Sequence, residues 1–308
     1  MKQHILILGV TASGKGRLAF ELAKELDAEI ISIDSMKIYR RMDIGTAKPP
    51  LKARKTIKYH LIDIVEPSDS FSVGTFLDLA TEAAGGLERI KKPVIASGGT
   101  ALYIKALLYG LFDGPGADEN IRNQLRQQAE VEGLEELYFQ LKSVDPKSAQ
   151  RISCTDARRV IRALEVYRLT GKPISSFQTQ FDAENPCRKW TIIGLRSEKG
   201  VASARINRRV KKMIDSGLVD EVRSLLSEDK PLSKQASGAI GYAEIIDYLN
   251  GKTTLEKSVE LIKQNTRRLA KHQRTWFKTF KDVHWLDIAV DEPMEAIAKR
   301  AKIFLIGD

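Results

Sequence analysis

The stretch Ile5-Leu6-Ile7-Leu8-Gly9-Val10-Thr11-Ala12-Ser13-Gly14-Lys15-Gly16 decides the fold and lies close to the start of the chain. Its four consecutive apolar residues predict a short buried strand, and residues 17–26 have the composition of the helix that follows. Backbone N–H groups and a helix N-terminus that converge in such a loop bind an anion, and the lysine adds a positive charge. We therefore predict a phosphate-binding loop at residues 9–16. Gly16 stands where such loops usually carry a Ser or Thr whose hydroxyl ligates Mg²⁺.

The composition limits the classes of protein and partner. The 308 residues suffice for one large or two modest domains, and the net charge of +10 favours a polyanionic partner, nucleic acid first and an anionic membrane second. Cys154 and Cys187 have no C-x-x-C spacing, which argues against a disulfide framework or a zinc site. Because no signal peptide and no apolar run of membrane-spanning length is visible, we expect a cytoplasmic protein.

Strand and helix patterns alternate along the first 110 residues. Strands are predicted at 5–8, 29–34, 59–65 and 93–97, with a helix at 72–90, and further strands at 190–195 and 283–287. The fold class that this indicates is α/β, with a P-loop NTPase-like parallel sheet flanked by helices. Residues 117–176 read as almost wholly helical, and further helices are predicted at 202–226, 239–249 and 255–280. We predict a core formed by residues 1–112 and 190–308, interrupted by a helical insertion domain at 113–189.

Functional residues of such sheets lie at the carboxyl ends of the strands. Asp34 ends the second predicted strand, where it could act as a general base, as an indirect Mg²⁺ ligand or only as the cap of the next turn. Gly98-Gly99-Thr100 follows the fourth predicted strand. The threonine could cap the next helix or donate to a phosphate oxygen.

Two groups of arginines are candidates for phosphate contacts. Arg158 and Arg162 lie one turn apart on a predicted helix at 156–169, away from its apolar stripe at 160, 161, 164 and 167, and Glu165 can satisfy only one of them. Paired arginines can clamp phosphates, but a solvated charged face is equally compatible with this spacing. Arg205 and Arg209, four residues apart, could likewise reach a phosphate or simply carry surface charge.

The last long predicted helix carries a basic stripe, and no acidic residue occurs between residues 263 and 280. A solvated face normally mixes signs, so we interpret the stripe as a track for a phosphate backbone. Ile262, Leu269 and Trp276 recur every seventh residue and are predicted to face the core. The basic stripe consists of Lys263, Arg267, Lys271, Arg274 and Lys278.

Several of these stretches together resemble the tRNA dimethylallyltransferase (isopentenyltransferase) family over nearly the whole chain. The most specific are Met42-Asp-Ile-Gly-Thr-Ala-Lys-Pro49 and Arg162-Ala-Leu-Glu-Val-Tyr167. The others are the phosphate loop, Ile31-Ser-Ile-Asp-Ser35, Tyr39-Arg-Arg41, Gly98-Gly-Thr-Ala-Leu-Tyr103, Arg158-Arg-Val-Ile161, Thr170-Gly-Lys-Pro173, Ile240-Gly-Tyr242 and Thr266-Arg-Arg-Leu-Ala-Lys271.

The resemblance implies a Mg²⁺-dependent transfer of the five-carbon group of dimethylallyl diphosphate to the exocyclic amine of the adenosine just 3′ of the anticodon. The phosphate loop (Gly9, Val10, Thr11, Ala12, Ser13, Gly14, Lys15 and Gly16) would then hold the diphosphate rather than ATP, with Arg205 or Arg209 beside it. Asp34 would take the amine proton, Lys15 would meet the leaving charge, and Thr100 would lie beside the diphosphate and the flipped base.

The same resemblance places residues in the helical insertion domain and in the core against the tRNA anticodon stem-loop. The basic stripe adds Lys263, Arg267 and Lys271 to these expected contacts. We expect the protein to act as a monomer with no membrane contact. The expected tRNA contacts are Asp34, Ser35, Met36, Lys37, Thr100, Arg122, Arg158, Arg159, Val160, Ile161, Arg162, Ala239, Ile240, Gly241, Tyr242, Ala243, Glu244, Lys263, Arg267 and Lys271.

The chain departs from the family pattern at Gly16, where the family has Thr or Ser, and at Lys37, where most members have Gln. Three alternative functions stay open at this stage. The first is prenyl transfer to a free adenine nucleotide, which would need neither the insertion nor the basic stripe. The second is a nucleoside or small-molecule kinase, which normally keeps the hydroxyl that Gly16 lacks. The third is a tRNA-binding paralogue that has lost catalysis.

Overall fold

The computed structural model describes residues 4–112, 114–177 and 189–305. The chain divides into two units, the first formed by Met1–Leu108 with Arg188–Asp308 and the second by Tyr109–Cys187. These bounds differ from those in the sequence analysis by a few residues. Cys154 is an exposed free thiol, whereas Cys187 lies outside the described residues.

Parallel strands form a single sheet in the first unit, in the order β3-β2-β4-β1-β5-β6. Strand β1 lies between β4 and β5, with Ile7 opposite Ser97 and Ile193. Its apolar run is continuous because helices cover both faces of the sheet. The predicted α/β class with a P-loop-type parallel sheet is confirmed. The strands are β1 His4–Gly9, β2 Glu29–Ile33, β3 Tyr59–His60, β4 Val94–Gly98, β5 Thr191–Arg196 and β6 Val283–Asp287.

The helices before the second unit are α1 Lys15–Leu26, α2 Leu51–Thr56, α3 Val73–Arg89 and α4 Ala101–Tyr109. Helix α1 packs its apolar stripe against the sheet, where Leu18 and Leu22 are fully buried with Ile5 and Ile7 in one core cluster. This packing fixes the direction of α1, so its N-terminus meets the end of β1.

The second unit is helical, as predicted, and has its own core. Its central members are Leu125, Leu137, Leu141 and Val160, all fully buried. Its helices are α5 Glu119–Glu132, α6 Leu134–Val144, α7 Pro146–Arg151, α8 Ala157–Thr170 and α9 Ile174–Phe177.

The chain then returns to the first unit. There, α14 contacts both α10 and α13, and α15 packs on α1. In the described residues no helix combines the length and apolar character needed to cross a membrane. The helices are α10 Lys199–Asp215, α11 Leu218–Leu226, α12 Lys234–Ser237, α13 Tyr242–Leu249, α14 Leu255–Phe277 and α15 Met294–Lys302.

The predicted strand at 59–65 is wrong beyond His60. Leu61 and Asp63 have φ values of 60° and 56°, which an extended strand cannot contain. Val65 forms only an isolated bridge with Tyr39. The predicted helix at 202–226 is likewise two helices, because Gly217, with φ 94°, separates α10 from α11. The sequence analysis predicts neither α2 nor α15.

The seven-residue apolar repeat on α14 is also misleading. Ile262 is buried, but Leu269 and Trp276 are 38% and 36% exposed, while Ala270 and Phe277 face the core. A straight helix has 3.6 residues per turn, so a strict repeat of seven drifts away from the buried face.

Candidate active site

The loop between β1 and α1 has the geometry of a phosphate-binding loop. Gly14 adopts φ 92°, a left-handed conformation that favours glycine, and its carbonyl accepts the N–H groups of Arg17 and Leu18 at 2.9 and 3.0 Å. The first N–H groups of a helix have no partner within the helix. Because no side chain caps α1, these groups can donate to a ligand. The Ser13 hydroxyl is buried and makes no hydrogen bond with the described residues. These are the donors that a phosphate group requires.

A buried glutamine on α14 fixes this loop to the neighbouring strand end. Gln273 Oε1 accepts the N–H of Thr11 at 2.8 Å, and Gln273 Nε2 donates to the carbonyl of Gly99 at 2.8 Å. One side chain therefore holds the loops after β1 and β4 in register. The sequence analysis missed Gln273, because polar residues on a basic helix normally face water. Its only signal is a position four residues before Phe277 on the buried face.

Asp34 follows β2 and caps the next turn, which is one of the three roles predicted for it. One carboxylate oxygen caps the next turn, accepting the N–H groups of Met36 and Lys37 at 3.0 and 3.3 Å. The other oxygen accepts no hydrogen bond from the described residues, so it stays available to a substrate. Thr100 Oγ1 accepts the N–H of Ser35 at 3.0 Å and thereby joins the ends of β2 and β4. Asp34, Thr100 and the phosphate loop thus meet at one edge of the sheet.

A cavity of about 690 Å³ opens in front of the loop. Its lining combines many cations with the carboxylate of Glu21 and with apolar side chains such as Phe20, Pro49 and Tyr59. The structure therefore brings the predicted diphosphate residues together. The cationic side chains that line the cavity are Lys15, Arg17, Lys37, Lys48, Arg205, Arg208, Arg209 and Lys212.

The charges around the loop are unbalanced. Burial, reinforced by the positive charge of Lys37, lowers the pKa of Lys15 to about 7, although Asp34 opposes the shift. Burial also lowers the pKa values of Lys37 and Arg209, again against the attraction of Asp34. Several cations thus share one carboxylate in a partly desolvated space, an arrangement that favours binding of an anion.

The two predicted arginines of α10 are held in different ways. Arg209 Nη1 donates to the Thr11 hydroxyl at 3.2 Å and so contacts the phosphate loop directly. Arg205 donates to the carbonyls of Ala289 and Val290 at 3.2 and 2.9 Å, which anchors it in the cavity wall. Arg209 is therefore the stronger candidate for a contact with phosphate.

Part of the predicted tRNA segment at 239–244 is structural. Ala239 and Tyr242 are buried, and the Tyr242 hydroxyl donates to Glu221 Oε1 at 2.6 Å. Glu244 is buried too, and its carboxylate accepts the N–H of Gly241 and the amide of Asn265, each at 2.7 Å. These three side chains are used within the fold, and the predicted tRNA contacts of their residues stay predictions. Ile240 and Ala243 are half-buried, and their contacts stay predictions.

Glu221 also explains why residues 43–45 form a specific loop. Its carboxylate accepts the N–H groups of Asp43, Ile44 and Gly45 at 2.9, 2.8 and 3.1 Å. A Cβ atom on Gly45 would clash with the Tyr242 ring. The sequence analysis missed Glu221 because nothing near it in the chain indicates this partner.

In the second unit, the predicted arginines surround a buried carboxylate. Glu165 is fully buried and pairs with Arg122 at 3.0 Å and with Arg162 at 2.7 Å. As predicted, Glu165 satisfies only one of Arg158 and Arg162. Arg158 makes no hydrogen bond or ion pair with the described residues, and Arg159 pairs with Asp156 at 3.3 Å. Both stay candidates for tRNA contacts.

Val160 and Ile161 are 0% and 9% exposed in the core of the second unit. Helix α8 turns its apolar stripe inward, so these two side chains serve the core, and a contact of the segment 158–162 with tRNA stays a prediction.

No cluster of three or more His, Cys, Asp and Glu side chains suited to a metal occurs in the described part of the chain. Mg²⁺ commonly keeps several waters and binds one or two carboxylates together with substrate phosphates. The available oxygen of Asp34 fits that pattern, so the residues present fit a cation that arrives with a diphosphate.

A central parallel strand, a glycine-rich loop and a helix that begins with lysine define a protein with a P-loop-type fold. The sequence profile described as IPP transferase matches residues 37–280. The chain belongs to this family.

Curated relatives of known name cover nearly the whole chain. A tRNA dimethylallyltransferase of Geobacter metallireducens is 44% identical over 92% of both chains. That of Geobacillus thermodenitrificans is 45% identical over 97% of this chain and 94% of its own.

Two solved structures share the fold over nearly all of this chain. The full-length tRNA isopentenylpyrophosphate transferase of Bacillus halodurans is 38% identical with a TM-score of 0.70, covering 99% of this chain and 97% of its own. A eukaryotic dimethylallyltransferase acting on tRNA is 28% identical with a TM-score of 0.83, covering 98% of this chain and 78% of its own.

Proposed function

We propose that this chain transfers a dimethylallyl group from dimethylallyl diphosphate to the exocyclic amine of the adenosine 3′-adjacent to the anticodon in tRNA. The observation that carries the proposal is the surplus of cations around the phosphate loop, beside the Asp34 carboxylate with its one available oxygen. A prenyl transferase needs that combination, because an anion must be bound and a proton removed. The names of the relatives, at 44% and 45% identity, support tRNA as the acceptor and a dimethylallyl group as the group transferred.

Asp34 is the general base of the proposed reaction. The exocyclic amine of adenine is a poor nucleophile, because its lone pair is delocalised into the ring. A carboxylate that removes a proton as the new bond forms lowers the barrier to attack. Because Met36 and Lys37 donate to one oxygen of Asp34, its other oxygen has a fixed position from which to accept that proton.

The diphosphate leaves only if its developing negative charge is stabilised. The N-terminus of α1, Lys15 and Arg209 provide preorganised donors for this charge. We propose that Mg²⁺ binds with the diphosphate, with Asp34 as at most an indirect ligand through water, so that its available oxygen can still accept the proton. When bound, the ion would neutralise part of the leaving charge.

The target base must leave its stack to reach residues at the edge of the sheet. The basic stripe on α14 and Arg158 on α8 are the proposed contacts for the tRNA backbone. We propose that the enzyme acts as a monomer in the cytoplasm, where its tRNA substrate is found.

Incubation with labelled dimethylallyl diphosphate, Mg²⁺ and unmodified total tRNA, followed by nucleoside analysis, tests this function. We expect label in a prenylated adenosine, and no label with Lys15→Ala. Labelled γ-phosphate from ATP, offered in parallel with nucleosides, should not be transferred. Absence of prenylated adenosine with a folded protein would contradict the proposal.

A further inference from the structure

Lys37 is a cation of the cavity wall that the proposed mechanism leaves unused. It lines the same cavity as Lys15 and Arg209. Its backbone is anchored on both sides, because its N–H donates to Asp34 at 3.3 Å and its carbonyl accepts the N–H of Asp63 at 3.3 Å. These two hydrogen bonds fix the backbone of Lys37 beside the cavity.

A second lysine of the cavity wall shows how this fold neutralises a cation that it uses for structure. The Lys48 ammonium donates to the Tyr39 carbonyl at 2.5 Å and pairs with Asp63 at 2.5 Å and with Asp43 at 2.8 Å. The Lys37 side chain, in contrast, makes no hydrogen bond or ion pair with the described residues. A partly buried cation without such partners is costly unless a ligand compensates it.

We infer that Lys37 is a third cationic ligand of the diphosphate, beside Lys15 and Arg209. The inference rests on the proposed function, and it assigns Lys37 to the diphosphate instead of the target base. Gly16 supplies no hydroxyl to a metal ion, so this loop has one ligand fewer for Mg²⁺. The Lys37 ammonium would neutralise charge on the phosphate oxygens that Mg²⁺ would otherwise have to neutralise. Charge-assisted hydrogen bonds of this kind are among the strong ones.

Binding of inorganic diphosphate, measured by calorimetry with and without Mg²⁺, tests the inference. Without divalent cations, Lys37→Gln should bind diphosphate about tenfold more weakly than the parent, because one hydrogen bond between charged groups is lost. Lys37→Arg should retain most of the affinity. Saturating Mg²⁺ should narrow the difference, since the ion neutralises the same oxygens.

Lys55→Gln is the matched control. Lys55 is an exposed lysine on α2 that does not line the cavity, so the same change of charge there should leave diphosphate binding unaltered. Equal binding by Lys37→Gln and the parent without Mg²⁺ would overturn the inference. A loss of tRNA affinity with unchanged diphosphate affinity would also overturn it, because the ammonium would then face the base.

Failure of the proposed function gives a different result. A folded parent that binds neither inorganic diphosphate nor dimethylallyl diphosphate would overturn both proposals. Tighter binding of ADP than of dimethylallyl diphosphate would overturn the proposed function alone. A tenfold effect of Lys37→Gln on inorganic diphosphate would still support the third cationic ligand in that case.

Discussion

Two clusters of cations, one in each unit, look alike in sequence and differ in what compensates their charge. In the second unit, Arg122 and Arg162 share the fully buried carboxylate of Glu165. Arg162 also donates to the carbonyls of Pro115 and Gly116 at 2.7 and 3.1 Å. Both arginines of this cluster and the carboxylate between them therefore have partners within the fold.

The first-unit cluster has no such balance. Lys15, Lys37 and Arg209 have one nearby carboxylate, Asp34, and it does not form an ion pair with any of them among the described residues. The presence of lysine and arginine side chains therefore does not by itself identify a binding site. Cations that the fold has already neutralised stabilise it, whereas cations left in excess bind an external anion.

The same chemical change, carboxylate to amide, should have opposite consequences in the two clusters. In the first unit, Asp34→Asn should slow prenyl transfer by about 10²-fold or more, because the general base is lost. Diphosphate binding should persist or tighten, since a negative charge has been removed. Single-turnover rates and calorimetry measure both, with the exposed Asp78→Asn as control. Equal rates for Asp34→Asn and the parent would exclude the base.

In the second unit, Glu165→Gln should destabilise the fold. Two arginines would lose their buried partner, and we expect a loss of about 2–3 kcal/mol in the free energy of unfolding. Urea denaturation and hydrogen exchange in α8 measure it. Glu119→Gln is the control, because Glu119 pairs with two arginines but is 62% exposed. It should cost less than about 1 kcal/mol. If Glu165→Gln and Glu119→Gln lose the same free energy of unfolding, the buried carboxylate does not stabilise the second unit in the way proposed.

The basic stripe lies between these extremes, since its cations are only partly compensated. Lys263 pairs with Glu260 at 2.7 Å and Arg267 donates to Asn207 at 2.8 Å, while Lys271 is exposed. Neutralising all three should weaken tRNA binding and reduce its salt dependence by roughly 0.7–0.9 log units per lost contact. Filter binding across a salt series measures this slope.

The control for the stripe is the triple neutralisation of Lys91, Lys230 and Lys299, which are exposed lysines elsewhere on the first unit. It changes the net charge equally. If both triple variants give the same slope, the stripe acts only through net charge, and its role as a track is excluded.

Gly16→Thr should have the smallest effect. A Cβ atom at Gly16 meets no atom within 4 Å, so threonine fits. Its hydroxyl would add one oxygen ligand to a cation bound with the diphosphate. We expect the Mg²⁺ concentration for half-maximal diphosphate binding to fall by about two- to fivefold, consistent with one neutral hydrogen bond. Gly200→Thr, at the same position in the first turn of α10 and also in open space, is the control. Coincident Mg²⁺ titrations would show that the missing hydroxyl is irrelevant.

Much of the fold could be predicted from local patterns. The apolar run before Gly9, the alternation of strands and helices and the helical insertion all follow from the periodicity and composition of neighbouring residues. Errors arose where backbone conformation interrupts a pattern, as at Leu61 and Asp63, or where a repeat of seven imitates a buried stripe on α14.

The phosphate loop and the family could be predicted from the sequence, because each of their motifs is contiguous and its spacing has physical meaning. Which charged residues are available depends instead on how the helices pack. Thr11 and Gln273 are 262 positions apart, and Glu221 lies 178 positions from the N–H group of Asp43 that it accepts. Local patterns contain no information on such pairs, because the partner is chosen by how the helices pack. Compensation of charge is therefore a property of the fold. It makes Lys48 and Glu165 structural residues, because both have ion-pair partners, and leaves Lys37 and Asp34 available to a ligand.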